Sequence, residues 1–287
     1  MIGRRRFLIS GLAVVGSAAI GRTAPEATFA DLRSRLGPGG RLGLAALDVR
    51  SGRSIMFDAN SRYAMASTFK LALAAMVLAA VEARRLSLTD RLAVRPEHLL
   101  SHAPVVRAAG QGAKLQISRL CAAIVEVSHN GAANMLLERL GGPAALTAFI
   151  RRCGDRLTRL DRYEPQLNSN LPGDPRDTTT PAAMVQLMRT LLIDGPLRPR
   201  PRQQLAQWMV RSNRGLDRLR AGLPKDWRVG SKAGTGARGA VDDLVIASPP
   251  RRGPILIACY LDAPNATYDV AAAVHREVAR RASAAFG

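Results

Sequence analysis

The chain has 287 residues, of which 47% are hydrophobic, so it can bury the core of one large domain or two small ones. Its formal net charge is +20, and nearly all of its basic residues are arginines scattered along the chain. Aromatic residues make up only 4% and form no basic-aromatic motif, which argues against a nucleic-acid-binding protein, so no nucleic-acid partner is expected.

The first 24 residues are typical of an export signal. An Arg-Arg-Arg-Phe-Leu run at residues 4–8 precedes a short apolar stretch at residues 9–20, which also contains small residues suited to cleavage. Paired arginines before Phe-Leu resemble the twin-arginine signal. We therefore predict that residues 1–24 are a signal peptide and that the protein is exported to the periplasm or secreted, without a membrane span. An uncleaved N-terminal anchor is the alternative.

The remaining elements follow in chain order. A helix is predicted at residues 27–36, followed by two strands joined by a turn, at 41–49 and 54–57. Residues 67–208 are mainly helical, with predicted helices at 71–85, 117–127, 132–140, 144–153, 182–192 and 202–210. A polar loop marked by prolines interrupts them at residues 159–180. The predicted C-terminal elements are strands at 228–232, 241–247 and 255–261 and a helix at 268–285.

Strands at both ends with helices between them predict an α+β fold. One antiparallel sheet would be built from both chain ends, with flanking helices and an inserted all-helical domain. We assign residues 25–60 and 210–287 to the sheet domain and residues 61–209 to the helical domain. The helical domain includes the omega-type loop at residues 159–180. Functional sites often lie between two such lobes.

The pair Ser67 and Lys70 starts a long apolar helix and is the first candidate for chemistry. Residues i and i+3 share one face of a helix, so Ser67 Oγ and Lys70 Nζ can meet. A serine hydroxyl is a weak nucleophile until a base removes its proton, and a buried lysine loses its own proton readily enough to serve. The spacing also occurs by chance in many chains, so the other motifs must decide.

Three further segments follow in a specific order. Residues 128–130 read Ser-His-Asn, residues 164–168 read Glu-Pro-Gln-Leu-Asn, and residues 232–236 read Lys-Ala-Gly-Thr-Gly. With the Ser-x-x-Lys pair, the first and last segments resemble the motifs of serine β-lactamases and penicillin-binding proteins. The middle segment resembles the Glu-x-x-Leu-Asn of class A β-lactamases, whose omega loop is pinned by an ion pair where this chain has Arg162 and Asp177.

The resemblance implies four catalytic residues. Ser67 would be the nucleophile, Lys70 its partner, and Ser128 a proton relay toward the leaving lactam nitrogen. Glu164 would activate the water that hydrolyses the acyl-enzyme. Whether Lys70 or Glu164 drives acylation stays open, and the ordinary alternatives are helix-capping serines, a surface lysine and an exposed loop carboxylate.

The resemblance also implies a set of substrate-binding residues, namely Asn130, Asn168, Lys232, Thr235, Arg218 and His102. Lys232 and Arg218 would attract the substrate carboxylate, and the backbone N–H groups of Thr235 and Ser67 would form an oxyanion hole. His102 stands where the family usually has an aromatic wall. Asn130, which can also be a helix cap, would hold the substrate amide, and Asn168 would hold the hydrolytic water.

Two positions depart from the family pattern. His129 stands where Asp is usual, and we expect altered local packing there rather than lost chemistry. Ala233 stands where Thr or Ser is usual, and a lost hydrogen bond to a charged group is worth about 1.5–3 kcal/mol. Many relatives form a disulfide with Cys121, but Ala74 occupies its partner position, so no such bridge is expected. No metal or other cofactor is implied.

The sequence predicts an exported enzyme that confers antibiotic resistance. It would hydrolyse the β-lactam ring of penicillin- and cephalosporin-type antibiotics through a serine acyl-enzyme, acting as a monomer on a small molecule. The alternatives are a D-alanyl-D-alanine peptidase or penicillin-binding protein, which lacks the deacylating carboxylate of Glu164, and a weakly active relative that only binds β-lactams.

Overall fold

The computed structural model describes residues 27–287, so the predicted signal at residues 1–24 lies outside the described part of the chain. Five strands form one antiparallel sheet in the order β2-β1-β9-β8-β7. They are β1 Arg41–Asp48, β2 Ser54–Phe57, β7 Arg228–Thr235, β8 Ala240–Ser248 and β9 Ile255–Asp262. Because β1 pairs with β9, the two chain ends share this sheet, and the predicted α+β class is confirmed.

Helices cover both faces of the sheet. One face packs on α1 Ala27–Ser34, the short α9 Leu219–Gly222 and α10 Tyr268–Phe286. The other face packs on the main core, to which most of the remaining helices contribute. These helices are α2 Lys70–Glu82, α3 Pro104–Ala109, α4 Ile117–Glu126, α5 Asn130–Arg139, α6 Gly142–Arg152, α7 Pro181–Arg189 and α8 Pro199–Val210. A strand covered on both faces is apolar throughout, which explains the unbroken apolar run of β9.

Helix α2 is the centre of the helical part. It contacts α4, α5, α6 and α8, and it is apolar around its whole circumference, as expected of a helix with no exposed face. A 3₁₀ turn at Ala66–Phe69 leads directly into it. The helix ends at Glu82, earlier than predicted, because Arg84 takes a left-handed backbone conformation with φ of +56°.

The predicted loop at residues 159–180 is folded back onto the scaffold. Arg162 Nε donates to Asp177 Oδ2 at 2.6 Å, and Asp177 Oδ1 accepts from the backbone N–H of Asp161 and of Arg162. The expected ion pair across the loop is therefore confirmed. A 3₁₀ turn at Gln166–Asn168 lies within the loop, and the loop holds Glu164.

The sequence analysis missed several short elements. Strands β3 Tyr63–Ala64 and β6 Thr178–Thr179 pair with each other, as do β4 Arg91–Ala93 and β5 Lys114–Gln116. Two or three residues are too few to show a period. A π-helical turn, Thr190–Asp194, also follows α7 where one continuous helix was predicted.

Cys121, Cys153 and Cys259 are all free thiols, as expected for Cys121, which lacks its partner. Among residues 27–287, no helix combines the length and the apolar character needed to cross a bilayer. The same residues contain no group of three or more His, Cys, Asp or Glu side chains placed to hold a metal ion.

Candidate active site

The ammonium nitrogen of Lys70 is the centre of the site. It lies 2.8 Å from Ser67 Oγ, 2.9 Å from the Ser128 carbonyl oxygen and 2.6 Å from Asn130 Oδ1. It also forms an ion pair with Glu164 Oε1 at 2.8 Å, and both side chains of that pair are 0% exposed. Five predicted residues from three separate segments therefore meet around one nitrogen atom.

Local backbone structure explains how these groups face each other. Ser67 lies in the 3₁₀ turn and Lys70 is the first residue of α2, so one turn of helix separates them. Ser128 lies between α4 and α5 with a positive φ of +58°, a strained conformation that is common at functional sites. This conformation directs the Ser128 carbonyl toward Lys70, and Asn130 then starts α5.

Glu164 is held on both its backbone and its side chain. Asn134 Nδ2 donates to the Glu164 carbonyl at 2.9 Å, and the Glu164 N–H donates to Asn134 Oδ1 at 3.0 Å. Asn168 Nδ2 donates to Glu164 Oε2 at 2.6 Å. The carboxylate is therefore shared between Lys70 on one oxygen and Asn168 on the other, which matches the predicted grouping of these residues.

Lys232 forms a second buried cation on β7. Its Nζ donates to Ser128 Oγ at 2.9 Å, and its side chain is fully buried. Burial, reinforced by the charge of Lys70, holds the pKa of Lys232 well below its usual value. Burial also lowers the pKa of Lys70, although the neighbouring Glu164 carboxylate opposes that shift. Lys70 can therefore release a proton more easily than a solvated lysine.

Arg218 is a third buried cation, next to the end of β7. One guanidinium nitrogen donates to Thr235 Oγ1 at 2.6 Å, and the other donates to the carbonyls of Gly234 and Asp242 at 2.6 and 2.7 Å. The Arg218 guanidinium carbon also lies 5.3 Å from the centre of the Tyr268 ring. Arg218 is therefore fixed in place, which distinguishes it from the many surface arginines.

A cavity of about 400 Å³ opens over Ser67. Its wall contains seven predicted residues and four others: Ser67, His102, Ser128, Asn130, Asn168, Arg218, Thr235, Arg214, Gly215, Ala233 and Tyr268. Lys70, Glu164 and Lys232 do not form part of that wall, and their side chains are fully buried behind it. All ten predicted site residues thus lie in or directly behind one cavity.

Comparison with known proteins agrees with this arrangement, since the β-lactamase enzyme family matches residues 26–286 of the chain. The chain belongs to the class A β-lactamase family. It is 41% identical to β-lactamase L2 of Stenotrophomonas maltophilia, over all of both chains. It is also 39% identical to β-lactamase CTX-M-6 of Salmonella typhimurium, covering 79% of this chain and 78% of that protein.

Solved class A β-lactamases share the fold. An ancestral class A β-lactamase, reconstructed for the last common ancestor of Gram-negative bacteria, is 48% identical and superposes with a TM-score of 0.88, over 91% of this chain and 99% of that one. The putative class A β-lactamase PenP of Rhodopseudomonas palustris is 41% identical, with a TM-score of 0.85 over 90% of this chain and 99% of that one.

Within this class A site, the sequence analysis missed Arg214 and Tyr268. The Nη2 atom of Arg214 lies 3.2 Å from His102 Nε2, which is also 3.0 Å from the Val127 carbonyl. Tyr268 starts α10, far away in sequence from every motif. Arg214 is one arginine among many, so no sequence pattern distinguishes it. Arg214, Gly215 and Tyr268 form the part of the cavity wall that no motif predicts.

Two adjacent buried acids, Asp242 and Asp243, lie on β8 of this class A β-lactamase and were also missed. Burial raises the pKa of Asp243 to about 7, against the opposing charges of Arg218 and Lys232. Burial likewise raises the pKa of Asp242 well above its usual value. Asp243 therefore places near the buried cations a carboxyl group whose charge depends on pH around neutrality.

We expect Asp243 to make the protein less stable as pH rises from about 4 to 7. A carboxyl whose pKa is higher in the folded than in the unfolded chain contributes stability at low pH, and that contribution is lost as pH rises through the folded pKa. A shift from 3.8 to about 7 corresponds to about 4 kcal/mol. Relative to the wild type, Asp243→Asn should therefore gain thermal stability with rising pH.

The measurement is the melting temperature of both proteins between pH 4 and pH 8. Asp226→Asn, on the exposed surface, is the control for a general effect of removing one carboxyl. A melting-temperature difference between Asp243→Asn and wild type that stays constant over this range would contradict the assignment.

Proposed function

We propose that this β-lactamase opens the β-lactam ring of penicillin- and cephalosporin-type antibiotics through an ester on Ser67, and that Glu164 makes this ester temporary. The observation that carries the proposal is the position of Lys70 Nζ, 2.8 Å from both Ser67 Oγ and Glu164 Oε1. One nitrogen can thus exchange protons with the nucleophile and with the carboxylate. The family assignment and the named relatives support hydrolysis of β-lactams as the reaction.

Acylation begins with a proton transfer inside the cluster. An ammonium group has three N–H donors, and three oxygen atoms around Lys70 only accept: those of Ser128, Asn130 and Glu164. Lys70 must lose one proton before it can accept the proton of Ser67. Glu164 is the contact able to take it, so Glu164 neutralises Lys70, and Lys70 then deprotonates Ser67.

Ser67 Oγ then attacks the lactam carbonyl carbon, and the carbon–nitrogen bond of the ring breaks. The backbone N–H groups of Ser67 and Thr235 hold the developing oxyanion. Ser128 gives its hydroxyl proton to the leaving nitrogen and is reprotonated by Lys70. The Nζ of Lys232, 2.9 Å from Ser128 Oγ, stabilises negative charge on that oxygen during the transfer.

Deacylation uses the carboxylate held by Asn168. Glu164 first returns its proton to the now neutral Lys70. The free carboxylate then removes a proton from a water molecule bound between Glu164 and Asn168, and the water oxygen attacks the ester carbon. The bond to Ser67 Oγ breaks, and that oxygen recovers its proton from the cluster. A D-alanyl-D-alanine peptidase would lack this carboxylate. The contact of Glu164 with Lys70 therefore favours a β-lactamase over a peptidase.

Substrate binding follows from two of the buried cations. Arg218 and the Thr235 hydroxyl line the cavity, and Lys232 lies buried behind its wall, so together they attract the carboxylate of a β-lactam. Asn130 holds the substrate amide, and His102 forms another part of the wall. None of these groups needs a cofactor for the proposed steps.

Replacing the deacylating base should trap the ester. We expect Glu164→Gln to lower the deacylation rate by about 10²–10⁴-fold, since an amide cannot take the proton of water. Acylation should continue, because this variant lacks the carboxylate that opposes the lowering of the Lys70 pKa by burial, and Lys70 then loses its proton more easily. Mass spectrometry after mixing with penicillin should show an adduct of one antibiotic per chain. The exposed Glu97→Gln is the matched control and should turn over normally, and Ser67→Ala should form no adduct. A stable adduct on the wild type would instead favour the peptidase.

Restoring a hydroxyl at residue 233 should improve substrate capture. Ala233 lines the cavity, so a serine at this position can donate to the substrate carboxylate. We expect Ala233→Ser to lower KM about tenfold with little change in kcat. The control is Ala144→Ser on the exposed surface of α6. An unchanged KM in steady-state assays would contradict a role for residue 233 in binding the carboxylate.

We infer that residues 1–24 export the protein and that it acts as a monomer outside the cytoplasm. The basic run at residues 4–6 supports export. Replacing Arg4, Arg5 and Arg6 by lysine should retain an uncleaved precursor in the cytoplasm, which fractionation and N-terminal sequencing detect. Normal export of this variant would exclude the twin-arginine route.

A further inference from the structure

The imidazole of His129 meets two backbone N–H donors. Its Nδ1 lies 3.0 Å from the backbone nitrogen of Ala132, where it caps α5, and its Nε2 lies 3.0 Å from the backbone nitrogen of Val106 in α3. The side chain is 0% exposed, so water cannot replace either contact. His129 therefore joins the first turns of two helices.

One ring cannot satisfy both donors. A neutral imidazole has one bare nitrogen and one N–H, and a protonated imidazole has two N–H groups and no acceptor. Whichever ring nitrogen carries the proton, only one of the two backbone N–H groups finds an acceptor, and the other faces a ring N–H. A carboxylate, which the resemblance expects at this position, has an oxygen for each donor.

The turn that His129 holds is part of the catalytic cluster. His129 lies between Ser128, whose carbonyl accepts from Lys70 at 2.9 Å, and Asn130, whose Oδ1 accepts from Lys70 at 2.6 Å. The backbone N–H of Asn130 donates to the His102 carbonyl at 2.9 Å. A change at the imidazole therefore reaches the lysine through both of its chain neighbours.

We propose that His129 is a positioning residue that holds the Ser128–Asn130 turn. Its ring offers a single acceptor to two backbone N–H donors, and protonation of the ring removes that acceptor and releases the turn. The charged or titratable groups facing the ring are Lys70 on α2 and His102 before α3. Burial, then Lys70 and His102, lower the pKa of His129 to about 4. Because this pKa is depressed in the folded chain, the stability that neutral His129 contributes is lost as pH falls from about 6.5 through 4.

The test compares two replacements of similar size. His129→Asp supplies two acceptors, whereas His129→Asn supplies one acceptor and one donor, as the neutral imidazole does. We expect His129→Asp to melt about 3–8 °C above the wild type at pH 7 and His129→Asn to show no such gain at that pH. Because neither variant has a titrating ring, both should gain relative to the wild type toward pH 5. Equal gains of both variants at pH 7, or no gain in His129→Asp at pH 7, would overturn the proposal.

Two further measurements keep the test independent of how the variants fold. A long-range ¹⁵N–¹H spectrum of the wild type at pH 7 should show one bare and one protonated nitrogen on the His129 ring. A ring protonated on both nitrogens would overturn the proposal. The acid limb of kcat/KM should lie at lower pH in His129→Asn than in the wild type, because this variant has no titrating ring and, unlike His129→Asp, adds no charge near Glu164. Coinciding acid limbs would show that His129 positions nothing in the site.

Only the activity readout rests on the proposed function. The melting temperatures and the tautomer are measured without substrate. If the wild type and the variants hydrolyse no β-lactam but the two structural readouts agree with expectation, the proposed function fails and the account of His129 stands.

Discussion

The buried ion pair between Lys70 and Glu164 constrains the whole site. Removing two charges from water is unfavourable, and their attraction compensates only when every remaining donor and acceptor is also bonded. The carbonyl of Ser128 and the amides of Asn130 and Asn168 provide those bonds. The turn after α4, the start of α5 and the loop at residues 159–180 must therefore all meet α2, and the sheet and helices hold them there.

The distribution of charge follows from the same burial. Lys70, Lys232 and Arg218 place three cationic groups next to one cavity, with Asp243 nearby on β8. Burial, and then the repulsion between these groups in a low-dielectric interior, lowers the pKa of Lys232. The same cluster of cationic groups attracts an anionic substrate strongly. The arginine-rich surface, by contrast, is screened by salt and adds little at this distance.

Much of this could be predicted from the chain, for identifiable reasons. Ser67 and Lys70 are neighbours on a helix, so their contact is local and the spacing predicts it. The apolar strands at the two ends had to share a buried sheet, which the pairing of β1 with β9 confirms. Tyr268, Arg214 and Asp243 could not be predicted, because only the packing of α10, of the segment after α8 and of β8 against the site brings them there. The competing donors at His129 likewise depend on how α3 packs, which no local pattern encodes.

The nucleophile and the hydrolytic base lie in parts of the protein that are held in place by different contacts. Ser67 precedes the most buried helix, whereas Glu164 lies in a loop that depends on the contact of Arg162 with Asp177. Local opening of such a loop requires less free energy than global unfolding. A molecule with the loop open could still be acylated but could not release the product. Each such molecule would bind one antibiotic molecule and then stop. The protection of a cell would then depend on the number of protein molecules and not on how long they act.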